Sequence, residues 1–269
     1  MIPPLYKFRS INENDFENCF TLDSLRESYV YFSNITTLND PFEMGAYLDQ
    51  VSNLEMARIE FMETDWSGSP LGDFLATITE EDREKFLSER WGCDEWRNQF
   101  LNGWKHVDGF SDDLKRLISI YCMSATRTDG LLWSHYASGH RGIAIELNAN
   151  ADEFLRNSFE VRYEEEFPVI DMLQDDAKTK LQKGLLTKSK DWRYEKEYRS
   201  IYPIEHAQVR HEVDPSTFVS ITFGAKITGE ARAKVIEATR PRLAHIRFEQ
   251  ARLGRKTFSV EFEEYCADS

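Results

Sequence analysis

Two glutamates two residues apart, Glu195 and Glu197, lie in the tract Trp192-Arg193-Tyr194-Glu195-Lys196-Glu197-Tyr198-Arg199. Paired carboxylates suit general acid–base work and the stabilisation of a developing positive charge. The tract predicts a strand, on which residues two apart share a face, so both carboxylates project together. Like charges so placed repel unless a cation or a ligand compensates. Arg193 and Arg199 have the same parity and can supply it. A surface ion-pair ladder built from these residues is the competing reading.

Other residue types that can do chemistry lie elsewhere. Arg9 closes an early strand-like segment and is followed by Ser10; a guanidinium fork matches phosphate oxygens. Ser124-Ala125-Thr126 offers hydroxyls after a middle strand, either as a helix cap or to position a ribose. His135, Tyr136 and His140 form a third group. The histidines are five apart, not at the i, i+4 spacing of a helical metal pair, which argues against metal ligation. There is no G-x-S-x-G elbow and no glycine-rich phosphate loop, so any nucleotide is held without a glycine cradle. Residues 226–256 are basic and read as a solvated face or as a docking patch.

These residues need elements to position them. Leu5–Phe8 and Tyr29–Phe32 read as strands, with a helix between about 12 and 28, and Asn39-Asp40-Pro41 marks a turn. From 46 to 118 strands are hard to find. Helices fit 50–64, 80–91 and 94–106, and four of the six tryptophans fall in this stretch. It reads as a helical insertion, residues 46–118, in a core made of 1–45 and 119–269. If it packs as a unit, truncating Trp96 or Trp104 to Ala should destabilise by ~3–5 kcal/mol. Strands return at 118–123, 143–147, 159–163, 198–202, 219–223, 244–252 and 257–263, with helices at 131–137, 150–157, 171–190 and 229–239. This irregular interleaving predicts an α+β fold with mixed or antiparallel sheets.

Composition excludes several classes. The 269 residues carry a formal charge of −14 and are 41% hydrophobic, which excludes disorder and disfavours a protein that coats nucleic acid. Cys19, Cys93, Cys122 and Cys266 show no C-x-x-C spacing. With no leader-like N-terminus and no long apolar run, the expectation is a cytoplasmic protein with reduced thiols, without a membrane partner and of unspecified oligomeric state.

Several of these pieces together resemble a known family. They are Tyr6-Lys7-Phe8-Arg9-Ser10, Tyr31-Phe32-Ser33 with Asn39-Asp40-Pro41-Phe42-Glu43, Trp133-Ser134-His135-Tyr136 with His140 and Gly142, and Trp192-x-x-Glu195-x-Glu197-Tyr198-Arg199. The combination looks like the bacterial domain of unknown function 2971 family, whose name carries no activity. More distantly, the order Arg9, Ser124-x-Thr126, Glu195-x-Glu197 resembles ADP-ribosyltransferases of the Arg–Ser–Glu type. That resemblance implies an ADP-ribosyltransferase-like core with NAD as substrate. Arg9 would contact an NAD phosphate, Ser124 and Thr126 the nicotinamide ribose, and Glu197 the ribose hydroxyl and an oxocarbenium-like transition state. Glu195 would orient or deprotonate a nucleic-acid or protein acceptor. It also implies a toxin or phage-defence effector, which can have a neutralising partner protein. His135, Tyr136 and His140 have no counterpart in the three-part motif and would line the acceptor side or form a separate site. Two alternatives stand beside it. One is a non-catalytic binding module using the helical insertion and the basic C-terminal segment. The other is a hydrolase centred on His135 and His140, with Asp40.

Overall fold

The run Tyr29-Val30-Tyr31-Phe32 is rich in β-branched and aromatic residues, and it forms a strand, as its composition dictates. A computed structural model describes this and the rest of the chain over residues 2–43, 46–49, 54–105, 112–171, 175–202 and 209–266. It divides into two compact units. The first holds Met1–Glu43, Asp112–Tyr163 and Lys188–Ser269; the second holds Met44–Ser111 and Glu164–Thr187.

The first unit is built on a ten-stranded mixed sheet. Its strands are β1 (Leu5–Arg9), β2 (Tyr29–Asn34), β3 (Ser119–Ser124), β4 (Ile143–Leu147), β5 (Phe159–Glu160), β6 (Glu197–Tyr202), β7 (Val209–Glu212), β8 (Phe218–Phe223), β9 (Arg247–Leu253) and β10 (Val260–Glu264). The order is β7-β2-β3-β1-β4-β8-β9-β10, with β6 on β3 and β5 on β6. Pairing is antiparallel except between β8 and β9. That pair is joined through the helix Gly229–Thr239, the long crossover that parallel strands require. The fold is therefore mixed α+β.

The feature that makes the site is a split. Along one edge, β3 pairs with β6 over its full length, from Glu197↔Ser124 to Tyr202↔Ser119. Its other edge is shared. β2 takes Ser119 and Ile120, and β1 takes only Ser124, through Tyr6. In the gap between them the Lys7 Nζ donates to the Cys122 carbonyl at 2.6 Å, in place of a backbone donor. A buried carbonyl needs such a partner.

Alternation along the strands gives each face its own core. One face buries Leu5, Phe32, Tyr121, Met123, Ile145 and Phe223. The other buries Phe8, Ala144, Ala251 and Val260 with Leu132 and Trp133 of the helix Gly130–Tyr136. Asp129 caps that helix by accepting from the Leu131 N–H. The chain leaves it through Ser138, Gly139 and His140, all at positive φ. It then passes Gly142, where a Cβ would lie 2.1 Å from the Arg9 carbonyl, so only glycine permits the approach.

The second unit is mainly helical, with Leu54–Glu63, Pro70–Leu75, Glu80–Gly92, Asp94–Lys105 and Ala177–Leu185. A short parallel pair joins Tyr47–Asp49 to Val169–Asp171. Its core gathers Ala57, Phe61, Leu75, Leu87 and Trp91, with Trp66 and Phe100 against them. Trp96 is half-buried, beneath the Arg90 guanidinium at 4.8 Å, and the Trp104 side chain lies outside the described residues.

Several elements differ from the sequence reading. The helix placed at 171–190 is shorter, Ala177–Leu185, because Asp176 caps it and strand residues Thr187–Ser189 follow. The opening helix starts only at Phe20. Glu195 is not on a strand: it ends the 3-10 turn Lys190–Glu195, and Lys196 (φ 44°) reverses the chain before Glu197 begins β6. The two glutamates meet through that turn and not through strand parity.

Candidate functional site

At the split in β3 lies a pocket with about 680 Å³ of empty space, its open mouth included. All of its lining belongs to the first unit: Tyr6 and Lys7 from β1, Cys122 and Ser124 from β3, Glu195 and Glu197 at the start of β6, with Glu43, Tyr136 and Lys188 around them. Tyr6, Ser124 and Glu197 are direct neighbours across three adjacent strands.

Charge is buried here at high density. Glu195 and Glu197 are each 4% exposed and Arg199 is fully buried. The Arg199 Nε donates to Glu197 Oε1 at 2.8 Å, its Nη2 to Glu197 Oε2 at 3.1 Å, and its Nη1 to Glu43 at 2.5 Å. The Lys188 Nζ bridges the glutamates, at 2.7 Å to Glu195 and 3.1 Å to Glu197. The Tyr136 hydroxyl donates to the other oxygen of Glu195 at 2.6 Å. The backbone is fixed as firmly. The Ser124 Oγ donates to the Glu195 carbonyl at 2.5 Å, the Ala125 N–H to the Lys196 carbonyl at 2.9 Å, and the Glu197 N–H to the Tyr163 hydroxyl at 2.8 Å.

Burial pushes both carboxyls toward protonation, and the cations decide the outcome. At Glu197, burial is outweighed by Arg199 and Lys188, and the carboxyl is held far below the ordinary glutamate range. At Glu195, burial wins over Lys188, with the Glu197 charge adding to it, and the carboxyl is raised. The two neighbouring carboxyls are thus pushed in opposite directions. Burial first, and the Glu195 charge next, raise the Tyr136 hydroxyl. Burial, then the Glu197 charge, push the Cys122 thiol well up, which leaves it unsuited to act as a nucleophile.

The sequence-selected residues divide into those in the pocket and those outside it. Ser124, Tyr136, Glu195 and Glu197 come together there. Thr126 accepts from the Thr128 N–H beside it and does not line the pocket. Arg9 stands over the Phe20 ring at 5.4 Å, and its charge acts on the Tyr121 hydroxyl. Ser10 is exposed, and its carbonyl accepts from Thr21. Asp40 is buried in its turn, accepting from the Phe42 N–H. His135 is exposed beside Trp192 and Tyr194; His140 stacks on Trp133, with its Nδ1 buried and unpartnered. Among the described residues no group of three or more His, Cys, Asp or Glu is arranged to hold a metal ion. No helix among them is long and apolar enough to cross a membrane.

Sequence reasoning missed Lys7, Lys188, Glu43 and Tyr163. Lys188 falls within the helix expected at 171–190. The available signal was its place seven residues before a carboxylate pair, within the reach of a turn. In the basic segment, Arg232, Lys234, Arg242 and Arg252 each already have a partner within the unit.

Comparison with curated proteins and with solved structures gave no match. Residues 132–200, which carry Tyr136, Tyr163, Lys188, Glu195, Glu197 and Arg199, match the family model "Protein of unknown function (DUF2971)", and over that stretch the chain resembles this family.

Proposed function

We propose that this pocket carries out glycosyl transfer from NAD, in the manner of an ADP-ribosyltransferase, to a nucleic-acid or protein acceptor. The observation that carries the reading is the convergence of the Glu195-x-Glu197 and Ser124 elements in one cleft, across paired strands. In such a reaction the bond between C1′ of the ribose and the nicotinamide nitrogen breaks. Nicotinamide leaves with the bonding pair and positive charge develops on the ribose. Glu197, ionised and locked by Arg199 and Lys188, is a preorganised anion for that charge. Glu195, with its raised carboxyl, has a basicity closer to neutral pH, and takes the proton the acceptor loses as it bonds C1′. Ser124 acts by positioning: its hydroxyl proton holds the turn that presents Glu195.

The test is nicotinamide release and ADP-ribose transfer by the purified protein with candidate acceptors. Glu197→Gln should slow release by ~10²–10³-fold, the size of losing one preorganised electrostatic group. No release and no transfer by the parent, with Glu197→Gln indistinguishable from it, would sink the proposal. The same reading implies a toxin or defence role. It predicts that Glu197→Gln abolishes any growth arrest caused by expressing the protein.

A further inference from the structure

Three carboxylates, Glu43, Glu195 and Glu197, and two cations, Lys7 and Lys188, line the pocket, with Arg199 buried behind them, and the cations are not used alike. Arg199 serves Glu197 and Glu43, and Lys188 serves Glu195 and Glu197. Among the described residues, Lys7 is the pocket cation with no carboxylate hydrogen bond. Its ammonium donates to the Cys122 carbonyl and lies 4.7 Å from the centre of the Tyr121 ring. An ammonium has three protons, and this bond uses one of them. We propose that Lys7, at the gap in the β3 edge, seats a phosphate oxyanion of the ligand. This rests on the reading of the pocket as an NAD site, and it moves the phosphate contact from Arg9 to Lys7. The Arg9 guanidinium is turned to Phe20 and Tyr121 and does not line the pocket.

The electrostatics agree. Burial first, and Arg9 on the same strand second, lower the Lys7 amine to about 8; Cys122 of β3 and then Glu197 and Glu195 oppose them. The remaining close group is the uncharged Tyr121 ring, whose centre lies 4.7 Å away. The Lys7 charge is therefore poorly compensated by its surroundings, and an incoming anion relieves the deficit. Lys7 on β1 and Glu197 on β6 lie on opposite edges of β3, so the seat is set apart from the carboxylate assigned to the ribose. A lysine acts here as a point charge, which suits one phosphate oxygen. Binding favours protonated Lys7, so affinity falls as pH rises through about 8.

Acetylation of the parent protein with an uncharged activated acetyl ester, which acylates free lysine amines and releases its alcohol leaving group, read lysine by lysine by mass spectrometry, tests the seat. Saturating NAD should slow Lys7 labelling by at least ~10-fold, and inorganic sulfate should do so more weakly. Exposed Lys256 should be unaffected. An unchanged Lys7 rate with both anions overturns the proposal. Protection by sulfate without any NAD turnover removes the enzymatic reading and leaves the anion seat standing. In the active protein, Lys7→Met should raise KM for NAD ~10–100-fold and lower kcat far less, as for loss of one charged hydrogen bond. Lys256→Met should leave KM unchanged. A Lys7→Met protein with the parent's KM also overturns it. The labelling is done on the parent, so it decides the matter even where Lys7→Met fails to fold.

Discussion

In the helical unit Phe61, 1% exposed, packs against Trp66, Trp91 and Phe100 with ring centres 5.1–5.4 Å apart. In the sheet unit the same depth of burial is given to Arg199 and Glu197. Rings gain by leaving water, whereas charges lose by it and recover the loss only through well-placed partners. Replacing a buried ion pair by apolar groups is often neutral or stabilising. A unit that keeps six buried or half-buried charges at one pocket is therefore spending stability on position. The helical unit has an apolar core and, among its described residues, a half-buried Lys183–Asp175 pair in place of a cluster of buried charges. Function is best sought where stability has been sacrificed.

The sharpest way to break this comparison is Arg199→Met. It strands Glu197 and Glu43, and should destabilise by ~3–5 kcal/mol at neutral pH, measured by chemical denaturation. The loss should shrink in acid. Glu197, held below its unfolded value by Arg199 and Lys188, contributes stability above the ordinary carboxylate range, and that contribution is lost as pH falls through its depressed value. The parent should weaken in acid and the variant less so. A pH-independent loss would mean that packing, not charge, is what Arg199 supplies.

Trp91→Ala makes the matching test in the helical unit. A loss of about 3 kcal/mol is expected from a buried aromatic truncation, with the same offset from the parent across that pH range. A strongly pH-dependent offset would erase the contrast between the units. Smaller effects sharpen it. Ser69→Ala removes the hydroxyl that accepts from the Gly72 N–H at 3.0 Å and should cost about 1 kcal/mol. Trp96→Ala should cost ~0.5–1 kcal/mol, the worth of a cation–π contact near the surface, because its half-buried ring lies under Arg90 and outside the apolar core. That is well below the loss expected from sequence for this residue. A result near 3 kcal/mol would restore Trp96 to the core.

The sequence showed most where the signal is local. Strand composition located β2, β3, β4 and β8, and the tryptophan density marked the helical stretch. It was weakest where a few residues change direction. Asp176 and Asp171 both look like helix residues in an acidic, lysine-rich run, yet one caps a helix and the other ends a strand. Residues 164–187 read as part of the core, but they cluster with the helical unit. No local pattern reports which neighbours a segment will find.

For the site, the sequence by itself determined the chemistry on offer: two carboxylates beside arginines, a serine after a strand, a tyrosine on a short helix. Those are properties of residue type and spacing. The tertiary structure alone decided which of them meet, and with what charge. Glu195 and Glu197 have the same side chain and lie two residues apart, but one carboxyl is raised and the other held down. The difference comes from Arg199 and Lys188, which reach Glu197 together, while Glu195 has Lys188 and the Tyr136 hydroxyl. Lys7 became part of the site only because β3 shares one edge between β1 and β2. Desolvation and charge pairing depend on distances between elements far apart in the chain, and spacing along the sequence does not contain them.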